Sequence, residues 1–202
     1  MSSDIAEAPT SDLTKEAVTA AAASYTRVAI GLHWLIAALV ICNFGLGWMA
    51  HQLDESALDQ LITDTHKSFG ISVLMLSIAR LLWRLLNKPP PFLPSMTTYD
   101  VLGARTVHGL LYALMILVPI AGWWMSSAVP GRHVFSFFGF ASVPLLPVRT
   151  GMSYAIVAHD THRWLAIAFA ALAVGHIAAA LRHQFWVGDD VMSRITSWRI
   201  ST

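Results

Sequence analysis

Four apolar stretches divide the 202-residue chain, at 28–49, 67–86, 107–126 and 163–186. Each approaches or exceeds the roughly 20 residues that an α-helix, rising about 1.5 Å per residue, needs to cross about 30 Å of hydrocarbon. The pattern predicts an all-α protein, a transmembrane four-helix bundle, with residues 25–192 as the membrane domain. Residues 1–24 carry no apolar face that demands burial and are expected to form a mobile tail, and 193–202 a second tail. The segment 127–161 is too long for a turn and too apolar for a solvated loop. Its Phe135, Phe137, Phe138, Phe140, Pro144, Pro147 and Tyr154 predict a segment lying on the outer membrane surface. Trp34, Trp48, Trp83, Trp123, Trp124, Trp164 and Trp186 fall mostly at helix ends, as interfacial anchors do, and Pro119 is expected to kink the third helix.

Composition narrows the class. Hydrophobic residues make up 55% and charged residues 12% of the chain, which is too apolar for an ordinary soluble domain. The net charge of +1 is dispersed, so there is no footprint for nucleic acid. No cleavable signal peptide is expected, because the first apolar run is longer than a signal's core, so helix one is predicted to be retained. The single Cys42 lies within that helix and has no internal disulfide partner.

The cations set the orientation. The two tails, the second connection and their adjoining helix ends hold Lys15, Arg27, Arg80, Arg84, Lys88, Arg105, Arg182, Arg194 and Arg199, against Lys67, Arg132, Arg149 and Arg163 on the other side. Nine against four predicts both termini in the cytoplasm.

Within this frame four histidines occupy apolar or membrane-bordering positions, where an ionisable side chain is costly and usually marks a function. His33 and His176 are expected near the cytoplasmic level, and His66 and His162 at the outer level, so they pair across the bundle. His162 and His176 are 14 residues apart, which on a helix returns to within about 40° of one face and separates them by about 21 Å. That arrangement suits two stacked haems, each held by two imidazoles with no open iron position, as electron transfer requires. His159 points about 100° away from His176 and is expected at the surface. The alternative for each histidine is a neutral imidazole bonded to a backbone carbonyl or a serine. A shared non-haem ion is disfavoured, since the pairs are about 20 Å apart and no carboxylate accompanies either. Gly31, Gly70, Gly109 and Gly175, within one turn of histidines, are candidates for close approach of a macrocycle or merely of another helix.

The stretches Arg27-Val28-Ala29-Ile30-Gly31-Leu32-His33-Trp34 and His66-Lys67-Ser68-Phe69-Gly70-Ile71 resemble the bacterial dihaem cytochrome b561 family. So do Arg80-Leu81-Leu82-Trp83-Arg84, the Pro89-Pro90-Pro91 run, and His176 through Arg182-His183-Gln184-Phe185. The likeness covers roughly 25–192. It implies an inner-membrane protein with two haem b groups, His33 and His176 holding the inner and His66 and His162 the outer. One branch of that family oxidises superoxide at the periplasmic face and reduces ubiquinone; others exchange electrons with quinones or periplasmic redox proteins. His108 and His183 are then candidates to border a quinone or a haem propionate. Arg80, 14 residues after His66, faces inward at the inner level and is a candidate propionate partner. The cations Lys67, Arg132, Arg149 and Arg163, with His133, offer the outer face a field for an anion such as superoxide. Asp54, Glu55, Asp59, Asp64 and Asp160 weaken it.

The expected function is electron transfer between a quinone and a periplasmic donor or acceptor, with superoxide oxidation coupled to ubiquinone reduction as the leading reaction. A haem subunit for a periplasmic redox partner is the alternative within the same chemistry, and a haem-free membrane scaffold or transporter the alternative outside it. An absorption spectrum separates the last from the others.

Overall fold

The computed structural model describes residues 24–53, 57–131, 134–189 and 191–196. Four long helices run antiparallel: α1 (Arg27–Ala50), α2 (Ala57–Leu86), α3 (Thr98–Ala128) and α4 (Met152–Arg182). All four are long and apolar enough to cross a membrane, α4 together with the π-helical turn His183–Val187 that extends it. A short antiparallel hairpin, β1 (Phe135–Phe137) and β2 (Ala141–Val143), joins α3 to α4, and a single-turn helix, α5 (Ser193–Thr196), follows α4.

Three helices begin nine to eleven residues earlier than the apolar pattern marks: α2 at Ala57, α3 at Thr98 and α4 at Met152. Hydropathy sees only the part of a helix that meets hydrocarbon. The 30 residues of α2 extend about 45 Å, half as long again as the hydrocarbon layer. The polar first turns therefore protrude. On α3 the start is set by a capping box, in which Thr97 Oγ1 accepts from the Asp100 amide and Asp100 accepts from the Thr97 amide. Thr26 caps α1 by accepting from the Ala29 amide at 3.3 Å. His66 and His162 consequently lie about three turns inside their helices rather than at the first residue, as the sequence pattern had placed them.

The segment expected to lie on the outer surface contains this hairpin, a connecting loop and the first turns of α4. Phe138 and Gly139 both take positive φ, 49° and 82°, which matches the twist of a tight hairpin turn. Buried Ser68 of α2 fastens the hairpin: its hydroxyl donates to the Asp64 carbonyl and accepts from the Phe138 amide at 3.1 Å. Three tryptophans also tie the elements together. Trp83 donates to Thr26 Oγ1, Trp123 to the Pro144 carbonyl and Trp34 to the Ile195 carbonyl. Arg194 donates to the Pro91 carbonyl at 2.6 Å, so the beginning of the expected 193–202 tail is docked onto the bundle. Pro119 is accommodated within α3 without ending it. Of the tail 1–24 and the outer groups Asp54, Glu55, Arg132 and His133, all but Ser24 lie outside the described residues.

Neighbouring helices pack in sequence order, α1 on α2, α2 on α3 and α3 on α4. Among the described residues, α1 and α4 meet mainly through side chains. Ile36, Val40, Val73 and Phe169 form the buried centre of the bundle, with the Phe44 and Phe169 rings 5.6 Å apart. Outside this layer large apolar side chains stay exposed, including Ile41, Leu61, Met75 and Val174, each more than 60% accessible. In a bilayer these face lipid.

Candidate metal centres in the bundle

The fold brings the four predicted histidines together in two pairs, above and below the apolar centre. The ring centres of His33 and His176 are 6.5 Å apart, and those of His66 and His162 are 6.1 Å apart. Two imidazoles on opposite sides of one ion, each with its nitrogen about 2.0 Å from the metal, hold their ring centres about 6.3 Å apart. Both pairs match this spacing. All four rings remain partly accessible, as groups that flank a planar macrocycle must be.

The ring nitrogens of the second pair are sorted. His66 Nδ1 lies 3.1 Å from the Asn43 carbonyl and His162 Nδ1 lies 2.9 Å from the Val118 carbonyl. Donation from Nδ1 leaves the Nε2 lone pair for a metal and fixes the ring's orientation. A packing role also accounts for a carbonyl bond. It does not require two rings to face one another at the spacing of a shared ion.

The same local device is used twice. Each carbonyl acceptor stands four residues before a glycine on the same neighbouring helix, Asn43 before Gly47 and Val118 before Gly122. A Cβ on Gly47 would come within 3.0 Å of His66 Cε1, and one on Gly122 within 3.1 Å of His162 Cε1 and Nδ1. The missing side chains let each imidazole lie against the adjoining helix and reach a carbonyl one turn back. These glycines are not the ones that proximity in sequence selects. Gly31, Gly109 and Gly175 have nothing within 4 Å of a Cβ, and Gly70 only Asn43 Nδ2 at 3.8 Å. Gly47→Val and Gly122→Val are each expected to displace an imidazole at the hairpin end, which a change in the absorption spectrum of the purified protein will report, whereas Gly31→Ala leaves the spectrum unchanged.

At the opposite end, toward the chain termini, His108 joins the first pair. Its ring centre is 5.2 Å from that of His176, too close for the two to stand on opposite sides of one ion, so it flanks the pair rather than replacing His33. Because α3 starts early, His108 lies deeper than the rim expected for it. Arg80 donates from Nη1 to the Ala29 carbonyl at 2.7 Å and from Nε to Tyr112 Oη at 3.1 Å. Its Nη2, uncommitted among the described residues, remains for an anion. His183 stands apart in the π turn, bonded to Asp189. His159 is exposed beside Asp160, as expected.

At the hairpin end, Lys67 pairs with Asp64 at 3.2 Å and lies 5.9 Å from the Phe135 ring centre. Both residues line a cavity of about 330 Å³ with Ser126, Val134, Ser136 and Leu145. The three residues His66-Lys67-Ser68 thus face one ring pair, one cavity and the hairpin. Of the other outer cations, Arg149 contacts Tyr154 Oη at 3.4 Å.

Among the described residues no group of three or more His, Cys, Asp or Glu converges as a closed metal cage would require. Paired imidazoles suit a metal whose other four ligands come with it, as a porphyrin supplies them. A membrane-length four-helix bundle carrying such pairs defines a b-type membrane cytochrome.

The chain belongs to the prokaryotic cytochrome b561 family, whose model matches residues 24–198. It is 35% identical over 172 residues to cytochrome b561 homolog 2 of Escherichia coli (strain K12), covering 85% of this chain and 90% of that one. It is 25% identical over 175 residues to cytochrome b561 homolog 1 of the same organism, covering 85% and 96%. A probable superoxide oxidase CybB of Yersinia pestis is 27% identical over 174 residues, covering 85% and 94%. The protein is therefore a haem-binding electron-transport protein of a bacterial membrane.

Proposed function

We propose that the chain carries two haem b groups, one between His33 and His176 and one between His66 and His162, and moves electrons between ubiquinone and the periplasm. The observation that carries this reading is the ring-pair spacing, 6.5 Å and 6.1 Å, repeated at two levels of one bundle. Bound there, the haems supply one-electron carriage between the two faces. Asn43 and Val118 orient the imidazoles of His66 and His162, which would hold one haem, and Ile36, Val40, Val73 and Phe169 keep the space between the sites apolar. Arg80 offers its guanidinium to a propionate.

The site is read as lying in the inner membrane with both termini cytoplasmic, supported by the cation count and by the fold. Arg27, Arg80, Arg84, Lys88, Arg105, Arg182 and Arg194 all belong to the same end of the bundle. With Cys42 replaced by alanine, a cysteine at Phe140, 76% exposed on the hairpin, is expected to be labelled from the periplasm by an impermeant maleimide, and a reporter after Thr202 to be cytoplasmic. Labelling of Phe140→Cys only in inverted vesicles would reverse the orientation.

Superoxide is the proposed periplasmic donor, losing one electron to become dioxygen. Support comes from the half-buried Lys67 at the cavity beside His66, and from the relative named as a probable superoxide oxidase. Asp64 shares the charge of Lys67, so attraction is local rather than long-ranged. A periplasmic redox protein is the second reading, favoured by exposed Val134, Phe138 and Phe140 around the hairpin. Rapid mixing of the oxidised protein with superoxide tests the choice. Haem reduction faster than superoxide's own dismutation supports the first reading, and no reduction by superoxide leaves the second.

At the cytoplasmic end His108 and His183 border the proposed ubiquinone site. An imidazole there both hydrogen-bonds a quinone carbonyl and delivers a proton.

A further inference from the structure

We propose that Asp189 is the positioning residue for proton delivery to the quinone, holding His183 by Nδ1 so that Nε2 is the nitrogen that exchanges the proton. The inference rests on the reading of His183 as a quinone neighbour.

The chain geometry around this pair is specific. His183 opens a π-helical turn that ends at Gly188, whose φ of 69° turns the backbone back on itself. The Gly188 amide donates to the His183 carbonyl at 2.8 Å, and the next residue is thereby returned to the His183 ring. Asp189 Oδ2 accepts from Nδ1 at 2.6 Å, while its Oδ1 accepts from the Val191 amide at 3.2 Å. The side chains are only 14% and 10% exposed.

A carboxylate so nearly sealed from water is costly unless paired. It also stands just beyond the C-terminal end of α4, where the helix dipole disfavours an anion. Its placement is accounted for by the imidazole it holds. Among the described residues, the other charged groups that interact around His183 are Arg182 on the same helix and Asp100 in the first turn of α3, itself hydrogen-bonded to Thr97.

A carboxylate on Nδ1 fixes the tautomer and stabilises the imidazolium formed when Nε2 is protonated. In quinone reduction the inner haem would supply two electrons singly, and the two protons would come one to each quinone oxygen, one by way of His183 and one by way of His108. In each transfer an imidazole N–H bond breaks, at Nε2 in His183, and an O–H bond forms on a quinone oxygen. Each imidazole then takes a proton from cytoplasmic water. One quinone, two electrons and two protons give one quinol.

The test compares Asp189→Asn, Asp189→Glu and His183→Ala holoproteins, following oxidation of pre-reduced haem by a soluble ubiquinone analogue across neutral and alkaline pH. Asp189→Asn is expected to keep the haem content and absorption spectrum. Its rate should fall about tenfold, a modest general-acid effect. Asp189→Glu should recover most of the rate. An Asp189→Asn profile coincident with wild type, while His183→Ala is slow, would reduce Asp189 to an anchor for the tail and overturn the proposal. Wild-type rates in His183→Ala would instead remove the quinone reading on which it stands.

Discussion

His66→Ala is expected to lose the haem at the hairpin end and retain the one at the end of the chain termini, and His33→Ala to do the converse. Each variant should contain about half the haem of the wild type, with opposite halves of the absorption spectrum missing, because loss of one axial imidazole leaves its partner nothing to face. The effects should be separable. His162 and His176 are 14 residues apart on α4, about 21 Å along the helix, and sites so distant respond independently unless they share partners. The intervening layer of Ile36, Val40, Val73 and Phe169 contains none of the four histidines. His108 is not a ready substitute for His33, since its ring is 5.2 Å from that of His176. Removal of one and the same optical component by both variants would show the pairing to be wrong.

His108→Ala and His183→Ala are expected to keep both haems and slow haem oxidation by ubiquinone at least about tenfold, equivalent to about 1.4 kcal/mol of barrier. The two act differently. His108 lies against His176 and, in the proposed arrangement, borders the inner haem, whereas His183 is held by Asp189 at the chain's turn toward α5. Replacing His108 is therefore expected to change the inner haem's absorption band slightly as well as the quinone rate, and replacing His183 the rate alone. Wild-type quinone kinetics in both variants, with full haem, would move the site to the outer haem beneath the hairpin.

The sequence revealed the parts of this arrangement that depend on periodicity. The apolar stretches marked four crossings, and the 14-residue repeat put His162 and His176 on one side of α4, where the fold gives each a facing partner. Helix starts were not legible from hydropathy, because α2, α3 and α4 extend beyond the apolar stretches. The Thr97-to-Asp100 capping box was a local signal that marks one of those starts. The supporting groups were hidden for another reason. Gly47 and Gly122 act on histidines of an adjoining helix, 19 and 40 residues away in sequence, so proximity along the chain selected Gly31, Gly70, Gly109 and Gly175 instead. The hairpin was masked by its phenylalanines, which read equally as an interfacial segment, although Phe-Gly at a tight turn is what its positive φ angles use. Asp189 was invisible as a partner of His183 because only the π turn and Gly188 bring them together.

The most direct test of the central claim is pyridine haemochrome analysis of the purified, full-length protein against its polypeptide concentration. Two haem b per chain is the result the paired histidines predict; one haem or none per chain would contradict it.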